Sequence, residues 1–180
     1  MTEISLHILD ILQNAKEAGA TKILLAVLED EQKDILAFTV ADNGRGMDDR
    51  LLERAFDPFT TTRQSRKVKV GLGLPMLKAT AEASGGYVKL YSRPGKGTRL
   101  KAVFQYSHLD RPPIGNLAGS ICVFLADTRD LHLRYVHRKN GKRIVFDSRA
   151  FAAQHGVTSF AEPQVFRLLL TGLQAQLNQL

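Results

Sequence analysis

"VGLGLPMLKATAEASGG", Val70 to Gly86, alternates two glycines with leucines, sets a proline close behind them and closes on Gly-Gly. Glycine admits positive φ and lets a ligand approach main-chain N–H groups with no Cβ in the way. Proline suits the first helical position, where its missing N–H would have had no partner. The stretch therefore predicts a tight loop feeding a helix over Pro75–Ser84. Free N–H groups and the positive end of the helix dipole would then face an anion such as phosphate. A glycine turn that merely starts a helix has the same local pattern. The rest of the chain decides between them.

Working outward, residues 3–18 are helical by period. Ile4, Ile8, Ile11, Leu12, Ala15 and Ala18 share one face, and Gly19 ends the helix. His7, Asp10, Asn14 and Glu17 recur at spacings of three and four, which predicts a polar stripe opposite. Thr21–Leu28 and Asp34–Ala41 read as strands, "DNGRGMD" as a glycine turn and "DRLLERAF" as a short helix. Residues 60–70 are polar and basic and read as a mobile loop. "YVKLYSR" and "GTRLKAVFQYS" form a hairpin around "PGKG". At "SHLDRPPIG" two prolines and a glycine mark a boundary. It separates a first domain, residues 1–106, from an extension, residues 107–180. Asn116 caps a helix to about Leu125, and Asn140-Gly141 joins two strands. A short helix follows near Ser148–Gln154. Pro163 then opens a last helix striped with Phe166, Leu169, Leu170, Leu173, Leu177 and Leu180. That stripe reads as core, with a second copy of the chain as the alternative occupant.

Composition narrows the partners. Of the 180 residues, 44% are hydrophobic, enough for a real core. No apolar run reaches membrane-spanning length, and the charged, helical start is unlike a signal peptide. The expectation is a soluble, cytoplasmic protein. Cys122 is the single cysteine, which excludes a disulfide framework or a cysteine-rich metal site. The net charge of +7 is compatible with nucleic acid. Much of it, however, sits in two clusters that suit a polyphosphate or an acidic protein equally well. One is Arg63, Arg66, Lys67 and Lys69; the other is Arg134, Arg138, Lys139, Lys142 and Arg143. Nucleic acid ranks last among the partners considered.

Four features converge on one ligand. Asn14 offers an amide oxygen suited to a hard ion such as Mg²⁺. Asp42 ends a hydrophobic strand and leads into Gly44 and Gly46, so a buried carboxylate there would accept the exocyclic amine proton of adenine. Gly71 and Gly73 would wrap phosphates. Thr98, in "PGKGT", offers a hydroxyl on a strand that could neighbour the Asp42 turn.

This order of motifs resembles the GHKL superfamily, whose Bergerat ATP-binding fold serves DNA gyrase, Hsp-type chaperones, MutL proteins and histidine kinases. The resemblance covers roughly residues 4–106. "DILQNAKEAGA" is similar to the family's N box and "DNGRGM" to its first glycine box. "FDPFTTTR" resembles the F box and "GLGLPMLKATAEASGG" the second glycine box of histidine kinases; "PGKGT" matches the last glycine element. The resemblance implies an α/β sandwich with a mixed, mainly antiparallel sheet, helices on one face and a small C-terminal α+β extension. It implies ATP or ADP with Mg²⁺: Asn14 as magnesium ligand, Asp42 as adenine reader with Thr98 helping through water, and Gly44, Gly46 and Met47 shaping the base pocket. Gly71, Leu72 and Gly73 would meet the phosphates, beside a basic Lys69 where many relatives have glycine.

In the hydrolytic relatives a glutamate one turn before the asparagine is the general base; here that position is Asp10, one methylene shorter. No histidine of this chain is followed by an acidic residue in the phosphoacceptor pattern, so no self-phosphorylation of the usual layout is expected. The tail from Ser107 resembles short stand-alone bacterial histidine-kinase-like ATP-binding proteins, which share "SHLDRPP". The leading expectation is Mg²⁺-dependent ATP binding with γ-phosphate transfer to a separate protein, in the manner of anti-sigma-factor kinases. The alternatives are a slow ATPase switch of MutL type and a nucleotide sensor without catalysis.

Overall fold

The computed structural model describes residues 3–58 and 72–180. Helix α1 (Ile4–Glu17) buries Ile4, Ile8, Ile11, Leu12 and Ala15, the face its period predicts. Strands β1 (Lys22–Asp30) and β2 (Ile35–Asp42) follow as an antiparallel pair. A short helix α2 (Asp49–Glu53), capped by the Asp48 side chain, leaves the glycine turn. Helix α3 (Gly73–Ala83) leads into the hairpin of β3 (Tyr87–Arg93) and β4 (Gly97–Gln105). Helix α4 (Leu117–Ala126) starts at Asn116, whose side chain accepts the Gly119 N–H. The hairpin β5 (His132–Lys139) and β6 (Lys142–Asp147) turns at Asn140 and Gly141, both at positive φ. Helices α5 (Ser148–His155) and α6 (Pro163–Leu177) complete the order.

The six strands of the described residues form one sheet, ordered β3-β4-β2-β1-β5-β6. Every pairing is antiparallel except β1 with β5. The mixed, mainly antiparallel sheet expected for a Bergerat fold is therefore present, and residues 107–180 add two strands to it. The core lies on one face only. Leu25, Phe38, Leu100, Phe104, Leu133 and Tyr135 point from the strands into α1, α3, α4 and α6, where Leu77, Ile121, Phe124, Leu169 and Leu173 meet them. The opposite face carries no helix in the described residues.

Two local expectations change. Helix α3 begins at Gly73, so Pro75 is its third residue, not its first. The first four N–H groups of a helix all lack intrahelical partners, so proline is tolerated there too. His7 is not on a solvated stripe: it is 1% exposed, and neither ring nitrogen has a hydrogen-bond partner among the described residues. Burial pushes its pKa below the ordinary histidine value.

Candidate functional site

A cavity of about 170 Å³ opens between α1, the start of α3, and the ends of β2 and β4. Strand register places its polar floor. Asp42 is paired directly with Thr98. Its Oδ1 accepts the Gly44 N–H at 2.8 Å, and the Thr98 N–H also donates to the carboxylate. Burial pushes the Asp42 pKa up, and the two N–H bonds only partly oppose it. A carboxylate held half out of water in this way is a strong acceptor awaiting a donor.

The glycines beside it are required by close backbone contacts. Gly46 sits at φ +67°, where a Cβ would overlap the Arg93 carbonyl. Gly97 sits at φ +86°, where one would overlap the Asp42 carbonyl. Gly44 is buried against the Ala18 carbonyl, behind the cavity wall and not on it. Ser92 ties these pieces together: its Oγ accepts the Met47 N–H at 2.8 Å and donates to the Gly97 carbonyl at 3.0 Å. The Thr98 hydroxyl lies 2.9 Å from the same oxygen. Sequence reasoning missed Ser92. The signal was there, since it occupies an inward position of β3 otherwise filled by Val88 and Leu90.

The other end of the cavity is built on α1. Asp10 and Asn14, four residues apart, stand on one face, and Asn14 Nδ2 donates to Asp10 Oδ2 at a long 3.4 Å. A Cβ on Gly73 would overlap Asp10 Oδ2, so the carboxylate sits hard against the first turn of α3.

Of the residues singled out from sequence, Asp10, Asn14, Asp42, Gly46, Met47, Leu72, Gly73 and Thr98 all border this cavity. Lys69 and Gly71 lie outside the described residues, as do Phe59, Arg63, Arg66, Lys67 and the loop expected at 60–70. His7 does not reach the cavity. Arg45, Leu51, Ala55, Leu74, Leu90 and Leu100 also line it and were not singled out. They are ordinary apolar or turn residues whose place depends on strand order.

Among the described residues, no group of three or more His, Cys, Asp or Glu side chains could hold a metal by itself. The donors present nevertheless fit magnesium. Asn14 supplies a hard amide oxygen at the polar end of the cavity, and Mg²⁺ is commonly bound by one or two protein ligands plus substrate phosphates.

Comparison with known proteins settles the family. Residues 2–108 match the family described as "Histidine kinase-, DNA gyrase B-, and HSP90-like ATPase". The chain belongs to that family. As a histidine-kinase-like ATPase domain it is an ATP-binding module, and its relatives agree. It is 41% identical over 91 residues to the sensor protein kinase FleS of Pseudomonas aeruginosa, covering 51% of this chain and 22% of that protein. It is 30% identical over 132 residues to the sensor kinase CckA of Brucella abortus, covering 66% of this chain and 14% of that one. The chain thus spans less than a quarter of either kinase. A crystal structure of the N-terminal domain of a DNA repair protein superimposes with a TM-score of 0.58 at 13% identity. It covers 81% of this chain and 52% of that one, a likeness of fold. No helix among the described residues is long and apolar enough to cross a membrane.

Proposed function

We propose that the chain binds ATP with Mg²⁺ and passes the γ-phosphate to a separate protein. Asp42 would accept the adenine amine proton, with Thr98 beside it, while Gly46 and Met47 shape the base pocket. Asn14 would hold the metal. Bound there, Mg²⁺ would neutralise charge on the phosphate oxygens. Gly71, Leu72, Gly73 and Lys69 would meet the phosphates.

The observation that supports transfer over mere binding is the position of Asp10. Its carboxylate shares the cavity with Asn14 and abuts the helix start that would meet the phosphates. There Asp10 would take the proton from the attacking group as that group bonds to the γ-phosphorus. The bond to the bridging oxygen breaks, and its electron pair leaves with ADP.

The test uses wild type, Asp10→Asn, Asp10→Glu and Asn14→Ala. Phosphate release and transfer of label from ATP to proteins of a host extract are both followed. Asp10→Asn is expected to lower turnover by about 10²–10⁴-fold with ATP affinity nearly intact. Asn14→Ala is expected to lower binding and turnover together. One shared background rate for wild type, Asp10→Asn and Asp10→Glu, with no label transferred, would leave a nucleotide sensor.

A further inference from the structure

We propose that the open face of the sheet is a docking surface for an acidic, amphipathic helix of a protein partner. Strand register shows what that face is made of. One row runs Tyr91, Arg99, Ala41, Leu24, Arg134 across five strands, and another runs Tyr87, Val103, Ala37, Leu28, Arg138. The row between them runs Lys101, Thr39, Ala26, Val136, Val145. The middle strands thus form an apolar floor of small residues with Leu24 and Leu28, which are 40% and 39% exposed. Arg99 and Lys101 stand on the β4 bank, Arg134 and Arg138 on the β5 bank.

Three observations single out this face. None of those four cations has an ion-pair or hydrogen-bond partner among the described residues. Like charges also face each other directly across neighbouring strands at Lys89–Lys101 and Arg138–Arg143. Such pairs oppose folding, and a counter-charge from outside the chain would relieve that repulsion. Its own acids are engaged: Asp30 bonds Lys33 at 2.9 Å, and Asp147 bonds His132 at 2.7 Å. Lysines on edge strands guard a sheet against aggregation, but Arg99, Lys101, Arg134 and Arg138 all sit on interior strands.

Dimensions and chemistry then choose the occupant. Three strand spacings separate the banks, about 14 Å, and a helix with its side chains is about 10–12 Å across. An apolar stripe would lie on Leu24 and Leu28 while carboxylates on both flanks reach the banks. Sheets that take single-stranded nucleic acid stack bases on aromatic side chains. Here the floor is aliphatic. The exposed tyrosines lie on edge strand β3, and Lys89 Nζ already covers the Tyr87 ring at 5.2 Å. Charge and shape therefore favour protein. No residue of this face borders the cavity described above, so the inference does not rest on phosphotransfer.

The experiment titrates the full chain with a labelled helical peptide of about 16 residues, leucines at i, i+4 and i+7 and glutamates on both flanks. The same peptide with lysines for glutamates and a single-stranded oligothymidylate serve as competitors. Wild type should bind the acidic peptide, more weakly as salt rises, and bind the lysine peptide at least about tenfold less well. R99E/K101E and R134E/R138E should each weaken the acidic peptide about tenfold or more and leave ADP affinity unchanged. R99Q/K101Q and R134Q/R138Q stand in if a reversal disturbs folding. The proposal is overturned if the acidic peptide does not bind, if folded variants bind it as wild type does, or if oligothymidylate binds more tightly.

Discussion

Replacing Asp42 by asparagine separates the cost of this carboxylate to folding from its use in binding. The amide oxygen of the new side chain can still accept the Gly44 N–H now held at 2.8 Å. The other atom, however, becomes an NH₂ group aimed at the donor amine of adenine. One hydrogen bond is lost and two donors oppose each other, a penalty of about 1–3 kcal/mol, or about 5- to 150-fold in affinity. Stability should move the other way. Burial holds the Asp42 pKa above its ordinary value. A group whose pKa is raised on folding adds stability at acid pH and loses it as pH rises through the folded value. At neutral pH asparagine removes the cost of burying an ionised carboxylate, and its amide oxygen is left to accept both the Gly44 and the Thr98 N–H. The expected result is a Tm equal to or above wild type at neutral pH, the difference shrinking on acidification, with ADP bound more weakly by calorimetry. Inosine diphosphate lacks the amine and should be discriminated against by wild type only. Equal ADP affinities in both proteins would refute the adenine assignment. Weaker binding accompanied by a parallel drop in Tm would show that Asp42 merely holds the turn.

Gly46→Ala forces a Cβ into the Arg93 carbonyl at a positive φ, so urea denaturation should show a loss of about 2 kcal/mol or more. His7→Phe removes two buried nitrogens that have no hydrogen-bond partner among the described residues and should be neutral or stabilising by about 1–3 kcal/mol. Because burial depresses the His7 pKa, wild type should lose stability as pH falls below about 6.5, and His7→Phe should lose less. A fragment of residues 1–106 would expose the edge of β1 that β5 covers and strip α4 from α1. It should show no cooperative thermal unfolding by circular dichroism, and nucleotide affinity equal to the full chain's would contradict that.

The candidate nucleotide site was readable because its residues are set by local rules: a helical period for Asp10 and Asn14, a strand end for Asp42, glycine turns around it. What escaped depends on contacts distant in sequence. His137 lies among the residues of the second basic cluster, yet it is 2% exposed. It bonds the Tyr135 hydroxyl at 2.7 Å and Glu29 at 2.8 Å, the latter from a strand more than a hundred residues earlier. Nothing in "LHLRYVHR" alone reveals that, because the partner arrives only through the parallel pairing of β5 with β1. His7 misleads for the same reason. Its spacing matches Asp10 and Asn14, but packing around α1 extends farther than a half-solvated helix implies.

That packing bears on how the site keeps its shape. Helix α1 supplies both Asp10 and Asn14, so any slide of α1 would move the proposed metal and base positions relative to Asp42. Its first turn donates to main-chain acceptors beyond the matched span of residues 2–108: Ile4 N–H to the Pro113 carbonyl at 3.0 Å and Ser5 N–H to the Ile114 carbonyl at 2.8 Å. Near its other end, Lys16 Nζ bonds the Asp127 carboxylate at 2.5 Å and its carbonyl at 2.6 Å. Those exposed charges add little energy, whereas the two N–H bonds satisfy donors that a helix start otherwise leaves open. The proline turn at "DRPPIG" thus does more than connect β4 to α4. Its carbonyls hold the start of the helix on which the polar end of the cavity is built, and α4 behind it packs against the same helix.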